Sequence, residues 1–232
     1  MRLEKASYKA IKYACMNFHY AKAVPVNVTG FSVFNEDNIW CGVILFGSGA
    51  TNNLAEPYGF KQGQVVELVR IALNGKHELT SKALSIALKL IKKNLPLCKL
   101  VVSYADSEQG HFGTIYQATN WTYTNYSTDN IFIVNGIKTH RRTLNSRYNT
   151  SSFEALKKLG LNVIPVKTKP KWKYIYPIDK SLIPFCKSLS KPYPKKETNA
   201  AIAQGSAPGF QSGDGVRSDL AAQLNSEVTA NA

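Results

Sequence analysis

The chain has 232 residues and a formal net charge of +14, from 29 Lys and Arg against 15 Asp and Glu. That length holds one domain with a full core, or one domain plus a tail. No apolar run approaches the roughly 20 residues of a membrane-spanning helix, so a membrane protein is not expected. A basic excess of this size predicts a polyanionic partner, with nucleic acid ranked before anionic lipid.

The first residues, Met1-Arg2-Leu3-Glu4-Lys5, carry no signal-peptide core, which predicts a cytosolic protein. Cys15, Cys41, Cys98 and Cys186 are widely spaced, with no CxxC pair. They are expected as buried reduced thiols rather than as zinc ligands or disulfides.

In chain order, residues 4–22 read as a helix, with Tyr8, Ile11, Cys15 and Phe18 on one apolar face. Residues 28–34 and 39–46 are β-rich runs around the turn Asn35-Glu36-Asp37-Asn38, which predicts a hairpin. Residues 65–73 read as a buried strand broken by Asn74-Gly75. Leu79, Ala83, Leu84, Ala87, Leu88 and Ile91 then make a helical stripe capped by Thr80 or Ser81 and closed by Pro96. Residues 100–104 form the next strand, 113–119 a short helix, and 123–126 and 131–134 further β segments. Residues 153–158 form a helix stopped by Gly160, and 162–166 and 173–176 closing strands.

From Thr198 onward the chain is rich in Ala, Gly, Ser, Asn and Gln, with Phe210 as its only aromatic residue. Such a stretch buries too little apolar surface to offset its ordering entropy. The expected organisation is a catalytic domain over 1–185 with a basic C-terminal part, a basic linker over 186–196, and a disordered low-complexity tail over 197–232. A transient helix is expected over 219–224.

The order of elements predicts an α/β fold, a mixed sheet flanked by helices. Its clearest unit is strand 65–73, the loop Asn74-Gly75-Lys76-His77-Glu78-Leu79-Thr80, and the helix from Ser81. The start of that helix offers unpaired N–H groups and a positive dipole end, which suit a pyrophosphate, and Lys76 adds a charge. Many α/β folds have one glycine in such a loop, so the loop alone favours a structural reading.

The run Val65-Val66-Glu67-Leu68-Val69-Arg70-Ile71-Ala72 resembles the central strand of the GCN5-related N-acetyltransferase (GNAT) superfamily. Of that superfamily's glycine-rich acyl-CoA loop only Gly75 remains. A more specific resemblance lies in Ser103-Tyr104-Ala105-Asp106 and Gly110-His111-Phe112-Gly113-Thr114-Ile115-Tyr116-Gln117-Ala118-Thr119-Asn120-Trp121. Together with Asn17-Phe18-His19-Tyr20 and Glu67-Leu68-Val69-Arg70, these resemble the Mom family of phage DNA-modification proteins. The resemblance implies a GNAT-like twisted mixed sheet. It implies conversion of adenine to its N6-carbamoylmethyl form in double-stranded phage DNA, in the host cytoplasm, shielding that DNA from restriction endonucleases. Acetyl-CoA or a related acyl donor is the implied cofactor, at Gly75, Lys76, Thr80 and Ser81. Simple acetyl transfer does not yield a carbamoylmethyl group, so the donor chemistry stays open. A GNAT-fold enzyme acting on protein or small amines, and a non-catalytic basic DNA-binding protein, are the competing readings.

Asp106 is either a general base toward the adenine amine or the cap of the next helix. His111 is a base, a hydrogen-bond donor or a structural residue. His19 is its natural partner if a metal is bound, but no metal site is assigned on two histidines and a carboxylate. Tyr104, Tyr116 and Trp121 either stack on an extruded adenine or pack in the core, the core being favoured for Trp121. By fold position Tyr116 is also the candidate acid for a thiolate leaving group. Arg70, on a buried strand, needs an anionic partner; Asp106 and a donor or DNA phosphate are the candidates. Ser103 either contacts a donor carbonyl or is a plain strand serine.

Two basic stretches are assigned to DNA: Lys138, Arg141, Arg142 and Arg147, then Lys167, Lys169, Lys171 and Lys173. In an extended chain the second set falls on one face, a row that tracks phosphates, interleaved with Trp172, Tyr174 and Tyr176.

Overall fold

A computed structural model of the chain describes residues 1–49, 53–128 and 130–195, without the side chains of Asn130 and Arg142. The tail expected over 197–232 lies outside the described residues, as does the transient helix at 219–224.

The elements run β1 (Arg2–Lys5), α1 (Tyr8–Asn17), β2 (Val28–Phe34), β3 (Trp40–Gly47), β4 (Val65–Leu73), α2 (Thr80–Asn94), β5 (Leu100–Asp106), α3 (Thr114–Gln117), β6 (Thr122–Ser127), β7 (Asn130–Val134), β8 (Ile137–His140), α4 (Arg141–Tyr148), α5 (Phe153–Lys158), β9 (Val163–Lys167), β10 (Lys171–Pro177) and α6 (Ile183–Ser188). Seven strands form the main sheet in the order β1-β2-β3-β4-β5-β10-β6, and β8-β7-β9 form a small second sheet. In the main sheet β4 and β5 pair in parallel, while the other neighbours are antiparallel. The architecture is the expected mixed sheet flanked by helices.

Each face of the main sheet is covered because its strands are apolar on both sides. On one face Ala83, Leu84, Ala87, Leu88 and Ile91 of α2 pack on Phe31, Ile44, Phe46, Leu68 and Val101. On the other, Ile11, Ala14 and Cys15 of α1 pack on Val43, Leu45 and Ala72. Beside them Cys186 of α6 meets Val65, Leu100, Val102 and Ile175. All four cysteines are buried and free.

The N-terminus departs from the expected single helix. Residues 2–5 are an edge strand on β2, from Arg2 opposite Phe34 to Lys5 opposite Phe31. The helix begins after Ser7, whose hydroxyl accepts from Ala10 N at 3.2 Å. At α2 the N-cap is Leu79, with no side-chain cap, rather than Thr80 or Ser81. Leu79 is itself exposed, so the apolar stripe starts at Ala83.

The expected lysine row does not form. Lys167 ends β9 in the small sheet, whereas Lys171 and Lys173 stand on β10 in the main sheet. Pro170 marks the break between them. Lys173 is half-buried with its ammonium 4.8 Å from the centre of the Tyr58 ring, and burial pulls its pKa below the usual lysine range. Residues 186–195, expected as a linker, lie against the domain. Lys191 N donates to Tyr123 O at 2.9 Å, and Tyr193 Oη donates to Trp121 O at 2.8 Å.

Candidate active site

The site follows from how β4 and β5 part. Their parallel pairing runs from Val65 opposite Leu100 to Leu68 opposite Ser103, and there it stops. Beyond that pair β4 continues to Leu73 and β5 to Asp106. A cavity of about 390 Å³ opens between them, walled by residues 68–71 and 104–106 and closed by residues 110–116 and by His19 and Tyr20.

A β-bulge shapes the β4 wall. Leu45 is opposite Arg70 and Phe46 is opposite Leu68, so Val69 is the extra residue. The bulge moves Arg70 onto the same face as Glu67, where simple alternation puts them on opposite faces. Arg70 points toward the chain after α1 and donates to the Ala23 carbonyl. Its partner is therefore a backbone carbonyl; no ion pair with Asp106 forms.

At the cavity floor lies Tyr116, its side chain buried against Trp121 and Tyr174. Ser103 Oγ sits 2.8 Å from Tyr116 Oη and 2.9 Å from the Leu68 carbonyl. A carbonyl only accepts, so the Ser103 proton goes to Leu68 while Tyr116 donates to Ser103 Oγ. Burial pushes the Tyr116 hydroxyl up to about 12, so it is protonated at neutral pH. Burial also raises Tyr104, on the cavity wall, to about 12. Trp121 is a core residue, 1% exposed, and does not line the cavity.

At the mouth Asp106 is engaged through both of its oxygens. Oδ1 accepts from Glu108 N at 3.0 Å and caps the 3-10 turn over 107–109. Oδ2 faces Tyr20 Oη at 3.4 Å. Burial, and then the Asp106 charge, raise Tyr20, which keeps its proton to donate. His111 backs the same loop, its N–H bonded to the Asp106 carbonyl at 3.1 Å, and its ring is exposed 6.1 Å from that of Tyr20. His19 stacks on Tyr20 at 4.3 Å, and its Nδ1 accepts from Ala21 N at 3.1 Å. Burial, then the charges of Arg70, His111 and Lys22, lower His19 to about 4. It is neutral at pH 7, and the Nδ1 contact assigns its proton to Nε2. Among the described residues no three His, Cys, Asp or Glu side chains group to hold a metal ion.

The cavity thus gathers His19, Arg70, Tyr104, Asp106, His111 and Tyr116 from five elements and loops, with Ser103 directly behind. Tyr20 escaped the sequence reading, though it stands beside His19. Tyr174, expected among the aromatics interleaved with the lysine row, is instead fully buried beside the site loop. Its hydroxyl donates to the Phe112 carbonyl at 2.6 Å, and a Cβ on Gly113 would stand 2.3 Å from its ring. Gly113, at φ +78, is the residue whose lack of a side chain lets the loop seat there.

An acyl donor fits part of this region. The cavity reaches Thr80, the first residue of α2, and the first turn of that helix holds no acid and no side-chain cap. Its backbone N–H groups and Ser81 suit a pyrophosphate, with Thr80 Oγ1 held 2.7 Å from His77 Nε2. Gly75, at φ +81, serves a turn: a Cβ there would meet nothing within 4 Å, so no glycine cradle exists. Lys76 is exposed beside it.

The assigned DNA contacts divide. Lys138, Arg141 and Arg147 are exposed on β8 and α4, and Lys167 and Lys169 are exposed at the end of β9 and just after it. The side chain of Arg142 lies outside the described residues. Residues 130–170 hold eight Lys or Arg and one acid, Glu154, so this segment is far more basic than the rest. It stands next to the site loop, with Lys138 Nζ 3.8 Å from Glu108 Oε2 and Ser107 Oγ donating to the Pro170 carbonyl.

Residues 1–195 match the model of the Mom protein family. No curated protein matches the chain. Among solved structures the chain is similar to a Bacillus subtilis acetyltransferase in complex with CoA, at 12% identity and TM-score 0.42, covering 76% of this chain and 97% of that one. It is also similar to a variant of the spermidine N-acetyltransferase SpeG from Vibrio cholerae, at 11% identity and TM-score 0.43, covering 80% and 99%. A third is FeeM, an N-acyl amino acid synthase from uncultured soil microbes, at 13% identity and TM-score 0.42, covering 82% and 100%. Among the described residues no helix is long and apolar enough to cross a membrane.

Proposed function

The chain belongs to the Mom protein family, and from that premise we propose that it is a transferase that modifies the N6 amine of adenine in phage DNA to the carbamoylmethyl form, shielding that DNA from host restriction endonucleases. The observation that carries the reading is the division of labour within Asp106. One oxygen holds the loop, which fixes the carboxylate, and the other faces the cavity beside Tyr20. A fixed acceptor of this kind is what a poor nucleophile needs. The adenine amine has its lone pair delocalised into the ring, so its proton must leave as the new bond forms.

The target base leaves the duplex stack to reach the cavity. The basic segment beside the loop supports the phosphates, and the neutral His19 offers Nε2–H to a ring nitrogen. Tyr116 holds its proton at the floor, where a leaving group would take it. When that proton goes, the Ser103 hydroxyl can turn from the Leu68 carbonyl to donate to Tyr116 Oη, so the charge left behind is not bare. Thr80, Ser81 and Lys76 would hold the phosphates of an acyl-CoA-class donor, which would supply a two-carbon acyl group. Acyl transfer alone gives an N6-acetyl adduct, so the carbamoylmethyl product requires in addition a nitrogen-bearing co-substrate and bond formation at the methylene carbon.

The test is mass spectrometry of nucleosides from the DNA of cells expressing the protein. The expected outcome is a modified deoxyadenosine that disappears with Asp106→Asn. Its mass separates a carbamoylmethyl from an acetyl adduct, because the former carries an extra NH. Unmodified DNA alongside consumption of an acyl donor would overturn the assignment of DNA as substrate.

A further inference from the structure

The outward face of α1 lies outside the cavity and meets the core only through Tyr13. Ile11, Ala14 and Cys15 are its buried row. Tyr8, expected on the apolar face with Ile11 and Cys15, instead stands at its edge and is 70% exposed. Further round the helix Lys9, Lys12 and Met16 are exposed, and Tyr13, 54% exposed, packs edge-on against Phe18 and Trp40. Tyr8, Lys12 and Met16 stand four residues apart, one ridge along the helix. The helix ends at Asn17, and three residues on Tyr20, 49% exposed, is a wall of the cavity. A soluble helix ordinarily turns charged residues of both signs to water. This one turns tyrosine and lysine, and the chain holds Lys5, Lys9, Lys12 and Lys22 with no acidic residue anywhere over 5–35.

We propose that this face is a second nucleic-acid contact: a stacking track for the unpaired strand flanking the target base, leading along α1 to Tyr20 and the cavity mouth. The charge is complementary to a phosphate backbone and uninterrupted. Exposed phenol rings offer flat faces to unstacked bases, whatever their sequence, whereas in a duplex the base faces are already covered. From Tyr8 to Asn17 the helix rises about 14 Å, room for a short run of nucleotides. The track starts at the solvent end of α1 and ends where Tyr20 meets Asp106, so strand and target base converge on one point. The inference rests on DNA being the partner but not on the reaction.

The experiment measures binding of the full chain, without any acyl donor, to a fluorescent single-stranded oligonucleotide and to its duplex. Tyr8→Ala is expected to weaken single-strand binding about tenfold. Lys12→Ala is expected to lower the salt slope of that binding by about 0.7. Lys89→Ala, an exposed lysine on α2, serves as the charge control and leaves both unchanged. Thermal melts of all three are expected to match the parent, since the replaced side chains are solvent-exposed. Unchanged single-strand affinity in Tyr8→Ala overturns the track. So does capture of the chain by phosphatidylglycerol vesicles that depends on Tyr8 and Lys12 while oligonucleotide binding does not. Modified adenine with unaltered Tyr8→Ala binding would sink the track alone, and strand binding without modification would sink the reaction alone.

Discussion

At the floor of the cavity Tyr116, Ser103 and the Leu68 carbonyl are buried and bonded to one another. At the mouth His19, Tyr20, Asp106 and His111 come from two segments distant in sequence, and Tyr20 and His111 stay exposed. The floor is part of the core and has its protonation fixed by burial. At the mouth the contact that joins the two segments is the long one, the 3.4 Å approach of Tyr20 to Asp106. The difference teaches that the two ends are held differently: the buried end keeps the Tyr116 proton at a defined atom, and the other end is open to solvent.

Substitutions at the two ends should separate them. Asp106→Asn keeps an oxygen to cap Glu108 N and loses the carboxylate. DNA modification is expected to fall about 10³-fold with little change in melting temperature. Retained activity would remove Asp106 from the chemistry. Tyr116→Phe is expected to cut turnover about 10²-fold while costing about 1 kcal/mol of stability, read from a urea midpoint. A loss confined to stability would make the floor purely structural.

His19 gives the mouth a pH signature. Its unfolded value is near 6.5 and its folded value about 4, so between these the unfolded chain binds more protons. Stability contributed by neutral His19 is therefore present above about pH 6.5 and lost as pH falls toward 4. His19→Gln is expected to flatten that part of the stability profile, and an unchanged slope would refute it. The smallest effect belongs to Lys138→Ala. The exposed ion pair with Glu108 contributes under about 1 kcal/mol, so folding should hold. Duplex affinity is expected to fall a few-fold, with the salt slope reduced by about one.

What could be read from sequence followed how strongly a segment repeats. Strands β2 and β4 were legible to the residue because they are apolar runs bounded by turn residues, and the stripe from Ala83 to Ile91 gave α2. Strand β1 was not, because Arg2–Lys5 is a short, mostly polar edge held only by pairing with β2. Strand β8 and helix α4 were read merely as charge. Their sequence, Ile137–Tyr148, buries Leu144, and the turn signal Asn135-Gly136 before it was the clue. The lysine row failed because a period of two was carried across Pro170. At the site, the local motif from Ser103 to Tyr116 brought most of the residues. The contacts that Tyr20, Gly113 and Tyr174 make became visible only when the strands were placed, since they are long-range.

The place of β10 has a consequence for how the protein comes into being. Every residue that lines the cavity lies at or before Tyr116, yet β5 has β10 as its second neighbour, and Tyr174 of that strand fixes Phe112 and Gly113. During synthesis the whole cavity lining is therefore made long before the strand that braces it. A nascent chain that has emerged only as far as β9 carries the whole cavity lining and leaves one edge of β5 open. Closure by residues 171–177, threaded between β5 and β6, is a long-range pairing and so a late and slow event. The cavity is braced only once residues 171–177 have paired, not when its lining residues appear.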